Sequence, residues 1–229
     1  MPRATLTKEQ VLQAAVQVLD AEGVAGLNVR RLGAQLGVAS TAMYYYIKNK
    51  DELVTLTADL VWHEIELPDP ATTDWRSAAA ALAREVHEMI GRHFWLLAAM
   101  STHVIYGPGK ARFDECGLEI FEGAGFAGAD ADRAAATLLM FVIGAAQGSA
   151  AERAWEARLK RDGGDAGAHR PDALAYVTEA AAQFPRLRAR LDSPVSDAVE
   201  TLPGTTGFEF GLRAVLDGLQ CRLAAAQEK

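Results

Sequence analysis

The chain has 229 residues, half of them apolar, with a formal net charge of −7 and two cysteines. This length is enough for one or two domains with a buried core, and no apolar run approaches the roughly 18 residues of a membrane span. Cys116 and Cys221 lie far apart, which excludes a disulfide framework and a zinc site of paired cysteines. Because the N-terminus lacks an apolar signal segment, we expect a cytoplasmic protein that does not enter a membrane.

The charge is distributed unevenly along the chain. Residues 1–50 carry six basic and three acidic side chains, a formal charge of +3, so the remaining residues carry −10. A small basic segment on an acidic protein confines phosphate binding to that segment. We therefore predict a small head over residues 1–50 that binds phosphate groups of a nucleic acid and a larger acidic body over residues 51–229.

Helix signals are strongest in the head. Thr7 and Gln10 form a capping box for a first helix that ends near Gly23. Asn28 is the expected N-cap of a short second helix, which ends at Gly37 because glycine adopts the left-handed conformation of a helix C-terminus. The expected N-caps of the third and fourth helices are Ser40 and Asn49. Leu32, Met43 and Ile47 are expected to face inward.

The body is predicted to be helical as well. We expect helices over about 75–92, 94–100, 110–123, 130–160, 172–183 and 205–226, and a mobile loop over about 162–171. Neither a β-strand pattern nor an internal repeat is found. The predicted fold class is all-α, with a helix-turn-helix three-helix head and a larger helical body.

Three consecutive tyrosines, residues 44–46, follow the predicted turn. Three consecutive helical residues span about 200°, so we expect one tyrosine in the core and two at the DNA. Lys48 and Lys50 lie at the start of the fourth helix, where a cation opposes the helix dipole unless an anion is near. Phosphate contact is therefore favoured over a merely solvated helix start.

Residues 7–53 resemble the DNA-binding head of the tetracycline-repressor (TetR) family. The resemblance rests on the capped first helix, Gly23 and Gly26-Leu27, Arg30-Arg-Leu-Gly-Ala-Gln-Leu-Gly-Val38, Tyr44-Tyr-Tyr, and Lys48-Asn-Lys50 before Asp-Glu-Leu. In the body, residues 125–126, 141–144 and 208–212 are similar to the tetracycline-repressor branch itself. The resemblance implies a homodimeric transcriptional repressor that binds a palindromic operator in double-stranded DNA and is released by a small-molecule inducer. It also implies a helix-turn-helix DNA-binding domain over residues 1–50 and a ligand-binding and dimerisation domain over residues 51–229.

The resemblance also implies which residues contact DNA. They are Val29, Arg30, Ser40, Thr41, Ala42, Tyr44, Tyr45, Tyr46, Lys48 and Lys50. We expect the lysines, Arg30 and tyrosine hydroxyls to position phosphates. We expect Thr41, Ala42 and Tyr45 to contact base edges or thymine methyl groups.

The inducer site is expected in the body, although the same residues could be ordinary core. The candidate lining is Trp62, Leu82, Val86, Met100, His103, Phe113, Cys116 and Phe141. His103 is the best candidate among the histidines because it lies just before the break at Gly107-Pro-Gly109. The apolar surroundings favour an apolar or aromatic metabolite or drug over a magnesium-chelated one. We predict no cofactor and no metal site.

Two other functions stay open at this point. An enzyme could use His103 with Cys116 or Asp114, but no nucleophile motif, phosphate loop or metal spacing supports it, so we expect no enzymatic activity. A DNA-binding regulator could respond to a protein partner or to no ligand. The last helix, with Gly211 and Gly218 seven residues apart, is either a core helix or, as we favour, a dimer face formed with the helix over about 130–155.

Overall fold

The computed structural model describes residues 6–191 and 207–227. Its helices are α1 (Lys8–Gly26), α2 (Val29–Gln35), α3 (Ser40–Met43), α4 (Lys50–Trp62), α5 (Trp75–Arg92), α6 (Trp95–Thr102), α7 (Pro108–Ala124), α8 (Ala129–Arg161), α9 (Ala166–Ala182), α10 (Pro185–Leu191) and α11 (Gly207–Gln227). The described ranges contain helices and turns without a β-strand, which confirms the all-α prediction.

The head packs α2 and α3 tightly across the turn that joins them. Leu32, Met43 and Ile47 are at most 2% exposed, as predicted. Gly37 has φ +69° and ends the second helix, and its N–H donates to the Ala34 carbonyl at 3.1 Å. A Cβ atom on Gly33 would lie 3.0 Å from Met43 Cγ, so this position lets the two helices approach closely.

Three element predictions from the sequence were wrong. The N-cap of α3 is Ala39 rather than Ser40, and α3 spans four residues before a turn through Tyr46. Amide N–H groups of this turn donate to carbonyls three residues back, as in a 3₁₀ turn. The loop expected over 162–171 is shorter, because Asp165 accepts a hydrogen bond from Gly167 N–H at 2.9 Å and starts α9. The helix α10 was not predicted.

The first helix departs from helical geometry at Gly23, close to its predicted end, and one more turn continues to Gly26.

The body is built around α8, which packs against α5, α7 and α11. Its buried positions recur every four residues, at Ala134, Leu138, Val142, Ala146 and Ala150. This helix is long and apolar enough to cross a membrane by length and composition, with 28% of its most apolar window buried within the chain. A core helix of a soluble protein meets the same test, so the observation does not assign a membrane location.

The last helix, α11, packs on α8 within the same chain. Phe208 of α11 stacks on Phe141 of α8, with ring centroids 5.6 Å apart, and a Cβ atom on Gly211 would overlap the Phe141 ring. The opposite side is exposed: Met140 is 68% and Phe210 is 73% exposed in the single chain. Gly211 therefore serves packing inside the chain. The start of the helix predicted over 205–226 lies outside the described residues.

Candidate DNA-binding surface and ligand cavity

The predicted DNA-binding residues lie around α2, α3 and the start of α4. Asn28 caps α2 by accepting hydrogen bonds from the N–H groups of Arg30 and Arg31, at 2.9 and 3.1 Å. Exposed members of the set are Arg30, Thr41, Ala42, Tyr44, Tyr45 and Lys48, and half-buried members are Val29, Ser40, Tyr46 and Lys50. Their exposure on a rigid buried core suits contact with a DNA groove.

The three tyrosines divide between the surface and the core. Tyr45 is 87% and Tyr44 is 57% exposed, whereas Tyr46 packs against the hydrophobic core. The Tyr46 hydroxyl donates to the Leu6 carbonyl at 2.7 Å. The expected division of one inward and two outward tyrosines is confirmed. Tyr46 is also one of the predicted DNA contacts, and in the structure its hydroxyl contacts the chain before α1.

Basic side chains converge on an open cleft beside this surface. Arg30, Arg31 and Lys50 line it together with Tyr44, and Arg161 reaches it from the end of α8. Arg161 donates to the Glu22 carbonyl at 3.2 Å. Sequence reasoning missed Arg161, although the last turn of α8 holds Arg158, Lys160 and Arg161 as a visible basic signal.

The body contains a cavity of about 290 Å³ between α5, α7 and α8. Its lining residues are Leu82, Ala83, Val86, Phe113, Asp114, Gly117, Leu118, Phe121, Asp132, Ala135, Ala136, Leu138, Leu139 and Val142. Three of the predicted ligand residues, Leu82, Val86 and Phe113, are among them. The cavity is large enough for a small aromatic molecule.

The other five predicted ligand residues lie outside this lining. Trp62 is buried against Phe113, with ring centroids 4.9 Å apart, and Phe141 stacks on Phe208. Met100 is half-buried against the core. Cys116 lies 3.8 Å from the Pro68 carbonyl, and burial raises the pKa of its thiol.

His103, the fifth of these residues, contacts α4. Its Nδ1 lies 2.8 Å from Thr102 Oγ1, and its Nε2 lies 3.3 Å from Asp51 Oδ1. Asp114, a supposed catalytic partner, forms an ion pair with Lys110. Each member of the possible enzyme site is thus engaged elsewhere. In the described parts of the chain, no three His, Cys, Asp or Glu side chains converge as metal ligands.

A carboxylate on α4 holds the start of α7. Asp59, 9% exposed, accepts hydrogen bonds from Gly109 and Lys110 N–H at 3.2 and 3.0 Å. The free N–H groups of a helix N-terminus favour such a negative partner. A Cβ atom on Gly107 would lie 2.5 Å from the Asp59 side chain, so only glycine allows this approach. We call this contact the α4–α7 junction.

A second polar contact joins the body to α1 and to the segment after α4. The buried His93 ring lies between two carboxylates, with Nδ1 2.7 Å from Asp20 Oδ1 and Nε2 3.0 Å from Glu64 Oε2. Trp95 Nε1 also donates to Asp20 at 2.7 Å. Burial by itself lowers the pKa of His93, but the hydrogen bonds to the two carboxylates outweigh it and raise that pKa. Two carboxylate neighbours favour the doubly protonated, charged ring.

Comparison with known proteins agrees with this geometry. Residues 11–56 match the model for bacterial regulatory proteins of the tetR family, and residues 67–223 match the tetracyclin repressor-like C-terminal domain. The chain is 32% identical to the HTH-type transcriptional repressor DrrR1 of Streptomyces coeruleorubidus, over 97% of this chain and 80% of that protein.

Solved structures extend the likeness to the whole fold. Apo ActR from Streptomyces coelicolor is 25% identical, with a TM-score of 0.72, and the match covers 97% of this chain and 99% of ActR. ActR in complex with actinorhodin is 27% identical, with a TM-score of 0.70 over 95% and 97% of the two chains. The chain therefore belongs to the tetR family of bacterial regulatory proteins and is a DNA-binding transcriptional repressor.

Proposed function

We propose that a small apolar or aromatic molecule binds in the cavity between α5, α7 and α8 and thereby lowers the affinity of the repressor for a palindromic operator. The cavity supports this proposal because its lining is predominantly apolar. ActR, which has a similar fold, was solved in complex with actinorhodin.

The position of α7 is the observation that carries the proposal. Phe113 and Gly117 of α7 face the cavity, and the start of the same helix is held by Asp59 of α4. A ligand that moves α7 must either carry α4 with it or break two buried hydrogen bonds. Since only a short turn separates the end of α3 from the start of α4, movement of α4 changes the direction of the recognition surface.

In a dimer, a change in the direction of each recognition surface alters the distance between the two recognition helices. Two recognition helices of a helix-turn-helix dimer contact successive major grooves about 34–36 Å apart. A ligand shifts the equilibrium only by its differential affinity for the DNA-binding and released conformations. We place the dimer face on the outer sides of α8 and α11, where Met140 and Phe210 are exposed in the single chain.

The DNA contacts are proposed to come from Arg30, Thr41, Tyr44, Tyr45 and Lys50. The test is a fluorescence-anisotropy titration with a palindromic duplex from the DNA that flanks the gene. The double variant Tyr45→Ala, Lys50→Ala should lose most operator affinity. The control double variant Tyr106→Ala, Arg133→Ala removes an exposed tyrosine and an exposed arginine from the body and should bind normally. Undiminished binding by the first variant would contradict the DNA assignment.

The ligand step is tested in the same titration with 2-naphthalenemethanol, a neutral aromatic probe. We expect the probe to bind the free protein and to weaken operator binding. Binding of the probe without any change in operator affinity would show that the cavity is not coupled to the head.

A further inference from the structure

The cavity carries negative charge without a matching positive charge in its lining. Apart from Asp114 and Asp132, every lining residue is aliphatic, aromatic or glycine, and the lining contains no Lys, Arg or His. Ionised carboxylates only accept hydrogen bonds, so the polar part of this lining offers acceptors to a ligand. An anionic ligand would meet charge of its own sign there.

Asp114 is neutralised by a cation from its own helix. Lys110 pairs with Asp114, and its Nζ lies 5.2 Å from the ring centroids of both Trp62 and Phe113. Lys110 is 9% exposed, so the protein holds an ammonium group in a largely buried position next to the cavity. Ring faces together with a carboxylate are therefore sufficient to hold an ammonium group here.

Asp132 supplies the charge that is not compensated. It lies in the first turn of α8, where it lines the cavity and is also exposed to solvent, whereas Asp130 of the same turn pairs with Arg133 at 2.7 Å. No ion pair joins Asp132 to another residue within 6–191 or 207–227. The positive end of the α8 dipole offsets part of this charge but supplies no side-chain cation.

We infer that the inducer is a cationic amphiphile, an apolar or aromatic body with a protonated amine that faces Asp132. This inference rests on the proposed function, in which the cavity between α5, α7 and α8 binds the inducer. The apolar walls accept the aromatic body and Phe113 offers it a ring. The amine donates to Asp132, which leaves no ligand charge unpaired in the cavity.

Three probes that share one ring system test the inference: 2-naphthylmethylamine, which is protonated at neutral pH, neutral 2-naphthalenemethanol and anionic 2-naphthoate. Binding to the full-length protein is measured by isothermal titration calorimetry. We expect the amine to bind about tenfold more tightly than the naphthoate, with the alcohol between them, since one charge pair near a protein surface contributes on this order.

Substitution of single aspartates identifies the carboxylate that causes the preference for the amine. Asp132→Asn should remove the preference for the amine over the alcohol and leave the affinity for the alcohol within about twofold. Asp130→Asn, in the same helical turn but outside the lining, is the matched control and should keep the preference. Asp114→Asn leaves Lys110 without its carboxylate partner and should shift the preference towards the naphthoate.

The outcomes separate the two proposals. If the naphthoate binds as tightly as the amine, or if the preference survives Asp132→Asn, the charge inference is overturned. In that case an alcohol that binds and weakens operator binding still supports the proposed function. If none of the three probes binds, the cavity is not an aromatic ligand site, and both proposals are overturned.

Discussion

The head and the body use their cores in opposite ways. In the head, a tightly packed core of Leu32, Met43 and Ile47 holds exposed polar and aromatic side chains in fixed positions. In the body, the packing around α5, α7 and α8 is incomplete, and the resulting void is the candidate ligand site. The head therefore contacts its partner through side chains that a packed core holds at the surface. In the proposed function, the body binds its ligand in the void that its packing leaves. Adding volume should accordingly damage the packed core of the head and be tolerated at the cavity of the body.

Gly33→Val should have the largest effect. The new side chain would meet Met43 Cγ at about 3 Å and the Val38 carbonyl oxygen at 3.3 Å, so α2 and α3 must separate. Overpacking of this kind costs about 1–3 kcal/mol in the free energy of unfolding. We expect a destabilised head and at least tenfold weaker operator binding, measured by urea denaturation and fluorescence anisotropy.

Gly91→Val is the matched control for this substitution. Gly91 lies in α5, and a Cβ atom there would have no neighbour within 4 Å. The free energy of unfolding of the Gly91→Val variant should differ from that of the wild type by about 0.5 kcal/mol or less, because only helix propensity changes. Equal losses of stability in the Gly33→Val and Gly91→Val variants would contradict the view that close packing around Gly33 causes the loss.

Ala135→Leu should have the next largest effect, confined to ligand binding. Ala135 is half-buried and lines the cavity, so the added carbons occupy empty space rather than displace packed atoms. We expect stability within about 1 kcal/mol of the wild type, unchanged operator binding and at least tenfold weaker binding of 2-naphthalenemethanol in calorimetry. Ala21→Leu, on the exposed side of α1, is the control that should leave all three quantities unchanged.

The same contrast explains how far the sequence could be interpreted. The exposure of two of the three tyrosines and the capping roles of Asn28 and Asn49 were predictable from local pattern. Which tyrosine faces inward was not predictable, because the inward direction of Tyr46 depends on Leu6, which is 40 residues away. The turn after α3 also depends on contacts that short-range patterns do not contain.

In the body, most helices were predictable, but α10, the first turns of α9 and the cavity were not. An apolar side chain that lines a void has the same sequence pattern as one that fills a core, so Trp62 and Phe141 were indistinguishable from Leu82 and Val86. Asp132 looked like an ordinary acidic residue of a first helical turn. Only the arrangement of α5, α7 and α8 shows that it faces the cavity.

The contact of His93 with Asp20 and Glu64 lies between the head and the body. The stability that this contact provides should depend on pH. Its raised pKa means that the folded protein binds this proton more tightly than the unfolded chain does. The stabilisation is therefore complete below the ordinary pKa of 6.5 and is lost as the pH rises through the higher folded pKa. His87 acts in the opposite sense, because burial lowers its pKa.

His93→Gln isolates this contribution. The variant keeps hydrogen-bonding capacity but loses the positive charge, so we expect it to be less stable than the wild type by about 1 kcal/mol at pH 6. The difference should shrink as the pH rises, since the wild-type ring then loses its proton. Urea denaturation of both proteins across this range measures it, and a difference that stays constant with pH would contradict a charged His93.

Lys48→Met should have the smallest effect on stability and should separate function from folding most clearly. The Lys48 side chain is 86% exposed, and its Nζ lies 3.9 Å from Glu52 Oε1, a geometry that contributes almost nothing to folding. A phosphate contact by Lys48 would instead appear in the salt dependence of operator binding, whose log–log slope should fall by about 0.9. Arg133→Met removes an exposed cation from the body and should leave that slope unchanged. An unchanged slope for Lys48→Met would assign the phosphate contacts to Arg30, Lys50 and the cleft that Arg161 enters, and would leave Lys48 as a solvated side chain.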